Sequence, residues 1–125
     1  MGNIISLIVV FALITTSTAY SQSPLQEEPS QEIREMARED ADFWSTELGL
    51  TEKQEILMEK KITEFAIKKE VLLQSKMQEE AKAVRLLELQ QEENRDMKDI
   101  LTRPQYARYL LIQKQRLKEQ VRIKN

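Results

Sequence analysis

A five-residue frame, Leu-Thr-x-x-Gln, occurs twice in this chain, as Leu50-Thr51-Glu52-Lys53-Gln54 and as Leu101-Thr102-Arg103-Pro104-Gln105, and each copy specifies the start of a helix. A threonine at the N-cap accepts a hydrogen bond from the backbone N–H three residues on, while the glutamine there reaches back to the threonine N–H. The second copy carries two further devices. Pro104 sits in the first helical turn, where a missing N–H costs nothing and its φ is already helical. Leu101 precedes the cap and Tyr106 follows at the fourth helical position, which is hydrophobic-staple spacing. In the first copy the equivalent position is Glu55, so no staple is expected.

The rest of the chain divides around these two starts. Ser30 is expected to cap a helix running to about Leu48, with Ile33, Met36, Ala37, Ala41, Trp44 and Leu48 on one stripe and Phe43 at its margin. Gly49 ends it, because glycine takes the left-handed conformation without steric cost and Leu50 can close the accompanying apolar contact. From Glu52 to Lys98 neither Gly nor Pro interrupts the chain. A hairpin turning near Gln74-Ser75-Lys76 is expected, since one helix of that length would leave most of its apolar surface unmatched.

In the first arm Met58, Ile62, Phe65, Ala66, Leu72 and Leu73 share a face, and Ile56, Ile67 and Val71 lie opposite with Lys60 among them. In the second arm Ala83, Leu87, Gln90, Asn94, Met97 and Leu101 follow coiled-coil spacing, with Gln90 and Asn94 either as polar breaks in the seam or facing solvent. The last helix, Arg103 to about Arg122, lines up Tyr106, Leu110, Leu117 and Val121.

Residues 1–21 contain no charged side chain and include the apolar run Ile4 to Ile14, followed by small residues ending in Ala19-Tyr20-Ser21. That run is shorter than the ~20 residues a membrane span needs, and it has the layout of a signal peptide cleaved between Ser21 and Gln22. Residues 22–29 have linker composition and are expected to be disordered, leaving 30–125 as one helical domain with no membrane span after processing. Cysteine is absent, so no disulfide framework is expected; histidine is absent too, which removes the commonest transition-metal ligand.

With almost a third of the residues charged and few aromatics, the core must be thin, and a homodimer is the expected remedy. The charges are unevenly spread: three bases and eleven acids in residues 22–59, nine of each in 60–101, seven bases and one acid in 102–125. Acidic first and basic last helices can attract each other within a fold or dimer. The basic end also reads as a patch for anionic partners. Nucleic acid is not expected, because few aromatics accompany those cations and the chain carries an export signal.

No nucleophile–base pair or Gly-rich phosphate loop is present, so the chain reads as a non-enzyme with no cofactor. Acid pairs such as Glu79-Glu80 and Glu92-Glu93 read as solvated helix faces, and no metal site is assigned. Two Leu-Thr-x-x-Gln motifs about fifty residues apart, joining helical patterns in a small exported chain, make residues 45–115 similar to the Spy/CpxP family of periplasmic proteins. That resemblance implies an all-α fold, a thin helical hairpin of about four helices forming an antiparallel dimer, with structural roles for Leu50, Thr51, Gln54, Leu101, Thr102 and Gln105. It also implies an ATP-independent periplasmic chaperone of the envelope stress response that binds unfolded exported proteins. The alternatives are a regulatory module docking on an envelope-stress sensor kinase, or a small structural helical oligomer. The candidate client or partner face is Ile56, Lys60, Ile67 and Val71, the apolar stripe turned away from the hairpin core.

Overall fold

The computed structural model describes residues 28–124, so the expected signal peptide (1–21) and most of the expected linker (22–29) lie outside the described residues. Four α-helices follow in order: α1 (Gln31–Leu48), α2 (Glu52–Leu73), α3 (Glu79–Asp96) and α4 (Arg103–Lys124), with a 3₁₀ turn, Met97–Asp99, between the last two. Among the described residues the fold is all-α, a thin helical hairpin of four helices. α1 packs along α2, α2 along α3, and α4 returns across α1.

Local chemistry accounts for the breaks. Ser30 caps α1, its hydroxyl accepting from the Ile33 N–H at 3.2 Å. Gly49 has φ +65°, and the N–H groups of Gly49 and Leu50 both return to the Ser45 carbonyl, at 2.9 and 3.2 Å. This left-handed stop turns α1 straight into the Thr51 cap of α2. The hairpin turn falls where expected, with α2 ending at Leu73. That end has no cation of its own in the last turn, and Lys82 of α3 supplies one by donating to the Leu73 carbonyl at 3.0 Å.

The main core lies at the motif end of the molecule. Ala37, Ala41, Trp44 and Leu48 of α1 meet Met58 and Ile62 of α2, Met97 and Leu101 of the connection, and Tyr109 and Ile112 of α4. The two alanines are almost fully buried, and their small side chains let α1 and α2 approach closely. Trp44 is the centre: its ring meets Phe43 edge-on at 5.0 Å and Tyr109 at 4.7 Å. Toward the hairpin turn the core thins to Phe65, Leu72 and Leu89, with Leu86 against them.

Three sequence expectations are corrected here. In the second arm Ala83 and Leu87 are exposed, and the buried stripe is Leu89, Glu93 and Met97, with Leu86 half-buried beside it. α3 therefore rolls so that a carboxylate, not Leu87, faces α2. In α4 the expected line of Tyr106, Leu110, Leu117 and Val121 is not the core face: Tyr106 is half-buried and the other three are exposed, while Tyr109 and Ile112 are buried. The aromatic contact of Tyr109 with Trp44 sets that rotation. Leu73 of the first arm is exposed because α2 ends there and the chain turns away.

Candidate functional site

The two Leu-Thr-x-x-Gln motifs meet. Each forms its own capping box: the Thr51 N–H donates to Gln54 Oε1 at 3.0 Å and the Gln54 N–H to Thr51 Oγ1 at 3.2 Å, with 2.9 and 3.4 Å for Thr102 and Gln105. Once each Oε1 has turned back to its own cap, the amide nitrogen is left to donate. Gln54 Nε2 crosses to the Ile100 carbonyl at 3.0 Å and Gln105 Oε1 at 2.7 Å; Gln105 Nε2 crosses to the Leu48 carbonyl and Gln54 Oε1, both at 3.3 Å. Two helix starts fifty-one residues apart are thereby fastened to each other, with Leu101 buried and Leu50 half-buried in the adjoining core. Sequence reading assigned each motif a local role and missed this clasp. The signal was that both copies carry Gln where Glu would close a capping box equally well.

Beside the main core all four helices line an open groove of about 890 Å³. Met36 of α1, Leu87 of α3 and Leu110 and Leu117 of α4 present exposed apolar surface to it. Its floor is a polar chain. Lys69 Nζ donates to Glu93 Oε1 at 2.9 Å and Gln90 Oε1 at 2.8 Å; Gln90 Nε2 donates to Glu93 Oε1 at 3.2 Å and Asn94 Oδ1 at 3.0 Å. The Tyr109 hydroxyl donates to Asn94 Oδ1 at 2.9 Å and accepts from Gln113 Nε2 at 3.0 Å, which carries the network from α2 through α3 to α4. Gln90 and Asn94 are thus half-buried structural groups, not solvent-facing ones. Among the described residues no buried side-chain N or O lacks a partner.

Glu93 is buried, with 6 % of its surface exposed. Burial pushes its carboxyl above the usual carboxylate range, against the pull of the Lys69 ammonium. Burial likewise raises the Tyr109 hydroxyl, and the Glu93 charge adds to that. The expected solvated face is corrected for Glu93, which is buried because Lys69 of α2 pairs with it, and sequence reading passed over Lys69 and Tyr109. The pattern did hold a clue, since Glu93 stands four residues from both Leu89 and Met97 and so belongs to their stripe.

α4 is held to α1 by the opposite charges seen in the sequence. Arg108 pairs with Glu47 at 3.0 Å and Arg116 with Asp40 at 2.9 Å, and the Arg116 guanidinium also lies over the Phe43 ring at 4.2 Å. Such half-exposed pairs contribute little each, so they orient α4 more than they stabilise it.

The sequence-derived client face lies outside the groove. Ile56 and Val71 are 59 and 55 % exposed and Lys60 is exposed, whereas Ile67 is half-buried beside Pro29 and Ile33 at the start of α1. Three of the four therefore stand free on the outer side of α2. Among the described residues no group of three or more potential ligands is arranged to hold a metal ion. Comparison with protein-family models, with curated proteins and with solved structures returns no match.

Proposed function

We propose that this chain is a non-enzymatic, ATP-independent chaperone of the Spy/CpxP type that holds unfolded exported proteins in the periplasm. The observation that carries this reading is the groove, in which exposed apolar walls stand over a hydrogen-bonded polar floor. Apolar walls capture transiently exposed side chains of many sequences, and a satisfied polar floor limits how tightly any one is held. The paired motifs support the same assignment, because the clasp fastens together the starts of α2 and α4, two of the helices that line the groove.

The second reading, a regulatory module docking on a sensor kinase domain, is favoured by the outer side of α2. Ile56, Lys60 and Val71 are exposed outside the groove, on the outer side of α2, where a folded partner can dock. The antiparallel homodimer belongs to this proposal as well, supported by the apolar side chains left exposed on every helix; sedimentation equilibrium tests it. Periplasmic export predicts an N-terminus near Gln22 in protein from the native host, and mass spectrometry finding Met1 intact would contradict it.

Suppression of aggregation of two unrelated unfolded clients separates the readings. Met36→Ser with Leu87→Ser alters the groove, and Ile56→Ser with Val71→Ser alters the outer face. The chaperone reading predicts that only the first pair loses suppression of both clients, with the helical signal retained. Loss with the second pair alone, or absence of suppression by the wild type, would contradict it.

A further inference from the structure

α4 carries its cations on two sides. Arg108 and Arg116 turn toward α1 and are paired with Glu47 and Asp40. Arg103, Lys114, Lys118 and Arg122 are exposed, and among the described residues none of the four takes part in an ion pair. Steps of three and four place these four on one side of the helix together with Leu111 and Val121, each 54 % exposed. Lys114 and Glu119, the one acid of α4, both also line the groove, so the strip turned fully outward is Arg103, Lys118 and Arg122 with Leu111 and Val121. The outer side of α4 is therefore cationic and apolar at once, and it lacks an acid.

We infer that this outer side of α4 docks on an anionic lipid bilayer, with the helix lying in the plane of the headgroups. Charge complementarity favours that occupant, and so does size. The face is carried by one helix; a specific protein interface uses ~800 Å² per partner, whereas a bilayer accepts a single helix along its length. The Lys and Arg stems can lie along the acyl boundary with their charges at the phosphates, while Leu111 and Val121 enter it. No described helix is long and apolar enough to cross a membrane, so this attachment lies on the surface. It would concentrate the protein where exported chains emerge, but it is independent of what the groove holds.

The test uses the full chain with vesicles of equal parts phosphatidylglycerol and phosphatidylcholine, and with vesicles of phosphatidylcholine alone. The neutral vesicles measure whatever the apolar run Ile4 to Ile14 contributes by itself. Wild type is expected to bind the anionic vesicles more tightly than the neutral ones. The difference should shrink as salt rises past about 0.1 M, where the screening length falls to about 10 Å. Each cation at an anionic surface strengthens binding roughly fivefold, so Lys118→Gln with Arg122→Gln should lower anionic binding about 25-fold and leave neutral binding unchanged. Leu111→Ser with Val121→Ser should weaken it too. None of these four residues lines the groove, so client suppression should persist in both variants even where lipid binding fails. Equal binding to both vesicles, or an anionic preference retained by Lys118→Gln with Arg122→Gln, would overturn the inference. A fall in the sedimentation coefficient of that variant, without loss of vesicle binding, would assign the face to a second copy instead and overturn it equally.

Discussion

Gln54 and Gln105 each satisfy three demands with one amide, and no other side chain of that length does so. A glutamate keeps the oxygen that accepts from the threonine N–H but has no N–H to send across, and it sets a carboxylate against the Leu48 or Ile100 carbonyl. Gln105→Glu is therefore expected to cost about 1–3 kcal/mol, the penalty for unmade hydrogen bonds in a part-buried setting, although the capping box survives. Because the two amides share bonds, a double-mutant cycle of Gln54→Ala and Gln105→Ala should show coupling of at least about 0.5 kcal/mol; additive losses in urea would contradict the clasp. Thr102→Ala should lower the midpoint more than Thr51→Ala, since Leu101 is buried beside its cap while Leu50 is only half-buried. Glu93 gives a pH signature. Its folded pKa is raised above the ordinary 4.5, so the folded state takes up a proton before the unfolded one does as pH falls. Stability from this group is lower above the raised value, rises as pH drops through it, and levels off near 4.5. Glu93→Gln should flatten that limb of the stability–pH curve, and an unchanged curve would show that another group titrates.

At the scale of elements, the starts and stops were legible in the sequence and the rotation of the helices was only partly so. Ser30, Gly49, Thr51 and Thr102 act on the backbone within four residues of themselves, and the structure has each of them where local chemistry requires it. The face that α3 and α4 bury depends on partners far away in the chain. Leu87 satisfied a heptad step as well as Leu89 did, but the aromatic pairing of Trp44 with Tyr109 and the Lys69–Glu93 bond decide which face of each helix turns inward. A buried acid is invisible to an apolar pattern until its cation is known, and Lys69 lies twenty-four residues earlier. This gives a direct comparison of two leucines. Leu89→Ala should cost about 2–5 kcal/mol as a core truncation, while Leu87→Ala, at 55 % exposure, should stay within about 0.5 kcal/mol. Similar losses at both sites in thermal or urea unfolding would restore the sequence-derived seam.

For the molecule as a whole, the clasp and main core hold one end, and beside that core opens a groove lined from all four helices. An unfolded chain held there must cover the groove wall and leave the hairpin turn exposed. Two methionines report on these places from equal starting points: Met36 on the wall and Met77 in the turn are both 43 % exposed. Oxidation of the thioether by peroxide follows its accessibility. The decisive measurement is the oxidation rate of Met36 relative to Met77, by mass spectrometry, with and without a methionine-free unfolded client. The groove account predicts that client slows oxidation at Met36 severalfold and leaves Met77 unchanged. Unaltered rates at both, or protection of Met77 alone, while the client is demonstrably bound, would contradict it.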